Sequence, residues 1–296
     1  MLQELAIIAV RGAGLGAVYA LVAMSFNIVK VSSGILNFAQ GTMLVLAGMA
    51  GFLASRLAEE WGPAEWLLFL PPSVAGIAAL LLVQGAITLL PLRARTGHQD
   101  SWLITTMAVS IILGAALLLT QGPNALYVRS VFANVDLLGM RIPAPYLLSI
   151  ALAVATWLLL HLFLTRSLTG LAISALWQDP VAARAAGLCV FRLQLIAFGI
   201  SGVILGAAGY VAAPMLTLTA DGGLRYVLNG FVVAVIGGMG HSGGALIAGP
   251  LVGIVMMLAG YLFGGEFQNL AAMSLLVAVL LVRPEGLFGA PGMRQV

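Results

Sequence analysis

The 296 residues are 61% hydrophobic and only 8% charged, with mean hydropathy +1.10 and formal net charge +3. Soluble domains carry roughly a quarter charged residues, so this chain has too little polar surface to cover itself in water. Its few positive charges are dispersed and point to no nucleic-acid partner, and Cys189, the single cysteine, excludes an intramolecular disulfide. Each membrane-spanning helix needs about 20 mainly apolar residues. The expected fold is therefore an all-α integral membrane protein, a bundle of about eight to nine transmembrane helices with broken or re-entrant segments. It occupies 1–296 as one transmembrane domain, with no length left for a soluble one.

Taken in chain order, apolar runs predict spans near 5–29, 34–54, 66–90, 101–120, 144–164, 193–213, 227–240, 245–263 and 267–282. The N-terminus MLQELAIIAVRGAG lacks a basic leader, carries Glu4, and runs directly into an apolar segment, so insertion is expected to use the first span itself. The 227–240 run is short and holds Gly230, Gly237, Gly238 and Gly240, which fits a half-helix or re-entrant piece.

Positive residues favour the cytoplasmic side. If every run crosses, Lys30, Arg93, Arg95, Arg166, Arg184, Arg192, Arg283 and Arg294 share one side. Arg56, Arg129, Arg141 and Arg225 fall on the other, with Glu59, Glu60 and Glu65. The N-terminus is then outside and the C-terminus inside; a re-entrant 227–240 would flip the tail.

Enzyme signatures are missing. There is no GxxxxGK[ST] loop for ATP, and His98, His161 and His241 stand far apart without metal-ligand spacing. Asp136, Asp221 and Glu266 fall in connections, while Arg11 and Lys30 flank the first span and can snorkel. A charge at the bilayer centre costs at least ~2.5 kcal/mol, and ion-coupled carriers usually leave a carboxylate there. Its absence here points to an energy source outside the chain. Small-xxx-small pairs such as Gly12/Gly16, Gly202/Gly206, Gly249/Gly253 and Gly260/Gly264 are expected to pack helices closely.

Two polar breaks stand out. The first, SSGILNFAQGT over 32–42, places Asn37, Phe38, Gln40, Gly41 and Thr42 in an otherwise apolar stretch. The second, GGMGHSGG over 237–244, contains Gly237, Gly238 and Gly240. Irregular backbone at membrane depth survives only where protein buries it or a cavity borders it. Both breaks are thus candidates for a substrate pathway, against the plainer reading of interfacial turns. In the connection 165–192, Gln178 precedes Asp179 and Pro180, which read as a helix cap and first turn. The short helix runs through Ala182, Ala183 and Arg184 to Gly187, a favoured terminator. It is either a loop helix resting on the membrane surface or a docking helix for a motor subunit.

Four blocks carry a family resemblance: GAVYALVAMSFNIVKVSSGILNFAQG, RSLTGLAISALWQDPVAARAAGL, VIGGMGHSGGALIAGPLVG and LLVRPEGLFG. Together, and in this order, they resemble the permeases of branched-chain amino acid ABC importers, in particular the shorter H-type. The resemblance implies a multi-pass protein of the bacterial inner membrane with no catalytic residues, metal or cofactor of its own. ATP and Mg would be bound by two cytoplasmic ATPase subunits. A longer M-type paralogue would complete the permease pair, and a periplasmic substrate-binding protein would deliver the cargo. Gln178 to Gly187 would match the family's coupling helix and NFAQG its pore-proximal motif.

The motif usually reads NFAHG followed by an acidic residue; here Gln40 and Thr42 stand in those places, and Arg11 replaces a small polar residue. These departures leave the cargo open between branched-chain amino acids and urea, short amides or aromatic carboxylates. A self-sufficient secondary transporter or channel, and a non-transporting scaffold or enzyme subunit, are the readings of a different class.

Overall fold

The computed structural model describes residues 2–61, 63–93, 101–137 and 140–289. Arg95, His98 and Arg294 lie outside the described residues, as do the side chains of Glu59, Glu60, Glu65 and Arg93. Eleven α-helices are present among the described residues. They are α1 (Leu2–Ser33), α2 (Gln40–Trp61), α3 (Pro63–Arg93), α4 (Ser101–Gln121), α5 (Ala144–Arg166), α6 (Leu168–Gln178), α7 (Pro180–Ala185), α8 (Val190–Ala212), α9 (Gly223–Gly237), α10 (Ser242–Phe263) and α11 (Phe267–Val282). Six stretches are long and apolar enough to cross a membrane, centred on α1, α3, α4, α5, α8 and α10. The helices α6, α9 and α11 are apolar but shorter, and the whole matches the expected all-α bundle with broken segments.

The centre of the bundle is α1, whose residues Ala17 to Met24 are all buried. The glycine pairs explain why other helices approach it so closely. Gly12 and Gly16 of α1 lie against Gly253 and Gly249 of α10, so that a β-carbon on any of the four would collide with backbone or a neighbouring side chain. On the other flank Gly202 and Gly206 of α8 lie against Ala78 and Val74 of α3. In lipid, where burial of apolar surface drives little, such van der Waals contact between backbones holds helices together. By contrast α4 is peripheral, with Ile104, Ile111, Ile112 and Leu119 strongly exposed.

The second predicted span does not begin at residue 34. Gly34, at φ +72°, ends α1, and the Asn37 side chain accepts the Ala39 N–H at 3.0 Å, closing a local turn. The chain between Gly34 and Ala39 is therefore non-helical and α2 starts at Gln40. Its Nε2 donates to the Ser25 carbonyl at 3.2 Å. Ser25 stands eight residues before the end of α1, roughly 12 Å along the helix axis, so the chain doubles back into the bundle before α2 departs.

Two elements in the connections escaped the sequence reading. One is the antiparallel hairpin of β1 (Val135–Leu137) and β2 (Met140–Ile142), in which Asp136 pairs with Arg141 at 3.7 Å on the surface. The other is α6, started by Ser167, whose hydroxyl accepts the Gly170 N–H at 2.9 Å. The predicted short helix is α7, and exposed Cys189 follows it at the start of α8.

At 15 residues, α9 is about 22 Å long, short of the roughly 30 Å hydrocarbon thickness. Gly238 and Gly240, at φ +93° and +95°, turn the chain sharply into α10. The tail after α11 returns to this turn: the Leu287 N–H donates to the Ile236 carbonyl at 2.7 Å. The same turn meets the end of α1, where Lys30 Nζ lies 2.8 Å from Met239 Sδ. The tail and the Lys30 end of α1 thus share one face.

Candidate functional site

The polar residues of the first break are not open to solvent; they knit the interior. Asn37 Nδ2 donates to Gln84 Oε1 at 3.1 Å, and Gln84 Nε2 donates back to Asn37 Oδ1 at 2.7 Å. Both side chains are buried, which makes the exchange worthwhile because neither carboxamide has water to turn to. Gln40 Nε2 also donates to Ser201 Oγ of α8 at 2.9 Å, while its Oε1 is buried without a hydrogen-bond partner. Phe38 is half-buried against the core. Gly41 meets α9 so closely that a β-carbon would strike the Gly223 carbonyl.

Thr42 behaves differently from the others. Its hydroxyl lies 2.8 Å from that of Ser110 on α4, and both border a cleft of about 540 Å³. The remaining wall comes from Ile111, Gly114, Ala115 and Leu118 of α4, Pro123 beyond it, and Ala220, Asp221, Gly223 and Leu224 around the start of α9. Two-way backbone bonding between Leu126 and Leu218, at 2.9 and 3.3 Å, ties the loop after α4 to the strand-like segment before α9. This end of the molecule is opposite α7, because Leu218 follows the far end of α8 and α7 precedes its near end.

The second break lies elsewhere. The Gly240 N–H donates to Asn27 Oδ1 at 3.0 Å, and Gly240 faces the Trp177 ring. Gly237 abuts Gly244 across the turn, and Gly238 abuts Phe288 and Gly289 of the tail. A second cavity, of about 470 Å³, is bordered by Trp177 and Gln178, by Met239, Gly240 and His241, and by Pro284 and Glu285. The structure therefore joins the glycine break to the end of α6, and brings neither to the cleft at Thr42.

Beyond Gln178 the chain enters α7. Asp179 Oδ1 accepts the N–H groups of Val181 and Ala182 at 2.8 and 2.9 Å, Pro180 occupies the first turn, and Gly187 leaves it at φ +83°. Ala183 alone in this helix is buried; Pro180, Val181, Ala182 and Arg184 are exposed, Val181 to 74%. The result is a pre-formed helix with an uncovered small-residue face.

Residues 8–282 match the family model described as the permease component of branched-chain amino acid transport systems. The chain belongs to this family. It is 28% identical to the high-affinity branched-chain amino acid transport system permease protein BraD of Pseudomonas aeruginosa, over 97% of this chain and 96% of that one. It is 27% identical to the permease LivH of Escherichia coli over the same shares. The ribose import permease protein RbsC of E. coli is 26% identical over 84% of this chain and 74% of its own. As an ABC transport permease of the LivH type, the chain is a multi-pass protein of the bacterial inner membrane.

Several residues that build this polar interior and the cleft were missed in the sequence. Gln84 and Ser110 are isolated polar residues within apolar runs, a signal that was available. Asp221 and Ser201 carried none: an aspartate in a connection and a serine in a glycine-rich span are both unremarkable until the helices are placed.

Proposed function

We propose that the chain is one half of the translocation pathway of an ATP-driven importer for branched-chain amino acids. It pairs with a longer paralogous permease, receives cargo from a periplasmic binding protein, and is driven by two ATPase subunits that hold the ATP and Mg. The observation that carries the reading is α7. A six-residue helix is too short to persist alone, yet here its N-terminus is fixed by Asp179 and its outer surface is left bare. That suits rigid docking on another protein. The cavity bordered by Trp177, Gln178 and Gly240 supplies a route by which movement of α7 reaches the turn between α9 and α10. The enrichment of Lys30, Arg166, Arg184, Arg192 and Arg283 around this end supports its placement in the cytoplasm.

The test is co-expression with the neighbouring ATPase genes, followed by reconstitution. Val181→Lys is expected to abolish co-purification of the ATPase and ATP-dependent L-leucine uptake, with the permease itself still folded in the membrane. Undiminished uptake by this variant would refute docking at α7. Uptake by the permease alone, driven by an ion gradient, would refute the importer reading altogether.

A further inference from the structure

We propose that the cleft between α4 and the start of α9 is the station at which this permease contacts an α-amino acid. Asp221 meets the ammonium group, and the Thr42–Ser110 hydroxyl pair meets the carboxylate. The assignment rests on the importer reading above and names residues within it.

Three observations converge on the cleft. Its volume of about 540 Å³ lies within the usual range of small-molecule sites, roughly 300–1,000 Å³. Its chemistry is divided: Ile111, Ala115, Leu118 and Leu224 give an apolar wall, whereas the polar groups are confined to Thr42, Ser110, Asp221 and nearby backbone. An aliphatic amino acid has the same division, with its charges at one end and its hydrocarbon at the other. Finally, Ser110 is placed halfway along the apolar helix α4 and turns to Thr42 rather than to lipid. Between them the two hydroxyls carry two hydrogens, and their mutual bond uses one. The other can be donated to a carboxylate.

Asp221 has no structural duty that would account for it. Among the described residues it makes no ion pair. It does not cap α9, whose N-cap residue is Gly222 and which has no side-chain cap bond. Arg225, four residues on, lies over the Tyr226 ring, 5.3 Å from its centre. Yet the loop bearing Asp221 is firmly held by the Leu126–Leu218 pair, by the Gly222 N–H bond to the Thr219 carbonyl at 3.1 Å, and by the Tyr226 hydroxyl bond to the Thr217 carbonyl at 2.8 Å. An exposed carboxylate on a held loop beside an apolar wall attracts an ammonium and repels a cargo that is only anionic. That separates amino acids from aromatic carboxylates on this permease.

The whole importer, reconstituted in liposomes with its binding protein, decides the matter through ATP-dependent uptake of radiolabelled L-leucine and the ATPase rate of the same preparation. Asp221→Asn is expected to lower leucine uptake about tenfold with the basal ATPase rate retained, and Asp221→Glu to restore most of it. Gly114→Leu, which would fill the cleft where α4 approaches the Ala220 carbonyl, is expected to block uptake in the same way. Wild-type uptake by Asp221→Asn would overturn the assignment, as would equal losses in the Asn and Glu variants. If the wild-type importer carries no leucine, the importer's proposed cargo fails first and this assignment with it.

Discussion

The Asn37 and Gln84 carboxamides bond each other twice, at 3.1 and 2.7 Å, with both side chains wholly enclosed by the bundle. Through this pair α3 fixes the segment that doubles back between α1 and α2, and so sets where α2 begins and where Thr42 faces.

Removing either partner strands the other. Gln84→Leu leaves the Asn37 amide N–H₂ without its acceptor, a loss of about 1–3 kcal/mol. Asn37→Ala should destabilise further, because it also deprives the Ala39 N–H of its acceptor. Thermal unfolding in detergent should rank wild type above Gln84→Leu and Gln84→Leu above Asn37→Ala. The reverse order for the two variants would show that the pair does not anchor the segment.

Glycines in this bundle are expected to differ sharply in tolerance. Gly16→Val puts branched carbon into the Gly249 carbonyl and should cut the yield of folded protein severely, since neither backbone can retreat without parting α1 from α10. A β-carbon at Gly76, in the middle of α3, meets nothing within 4 Å. Gly76→Ala should therefore be neutral or stabilise by up to about 1 kcal/mol through helix propensity. Size-exclusion profiles and melting curves of the two variants compare them directly.

Asp179→Ala removes the acceptor of two backbone N–H groups at the start of α7. An N-cap loss of this kind amounts to about 1 kcal/mol, confined to the helix. The expected signature is faster hydrogen exchange at Val181 and Ala182 and weaker coupling of ATP hydrolysis to uptake, with the melting temperature of the bundle unchanged. Asp179→Asn, which retains the acceptor oxygen, should behave as wild type.

The tail offers an independent check on the α9–α10 turn. Leu287→Pro deletes the N–H that reaches the Ile236 carbonyl. Gly286→Val forces a side chain onto a residue at φ +80° and against the Val235 carbonyl. Both should expose the tail to protease at the α7 end, and both should reduce uptake if the cavity at Trp177 transmits movement. Unchanged protease sensitivity would show the tail contact to be dispensable.

The bundle was legible in the sequence because apolar runs of spanning length need no partner to be recognised, and α7 was legible because Asp-Pro and Gly mark both ends of a helix locally. Gly12, Gly16, Gly249 and Gly253 announced close packing, but not that they would face each other, since that depends on the rotation of two helices far apart in the chain. The same applies to the first break. Asn37, Gln40 and Thr42 signalled an unusual segment, yet their fates diverged: two are locked into the core by Gln84 and Ser201, and one borders a cleft with Ser110. The hairpin at Val135–Ile142 was not readable because its strands are three residues each, too short for alternation to show.

Cys189 is the only cysteine in the chain, stands exposed two residues beyond Gly187, and lies in the connection between α7 and α8. A thiol-reactive fluorophore or spin label can therefore be attached at one defined place in the native protein, without first engineering away other sulfhydryls. Its emission or its distance to a label on a partner subunit would report any movement of this connection through a transport cycle. The permease carries its own built-in reporter position at the point where force is proposed to enter.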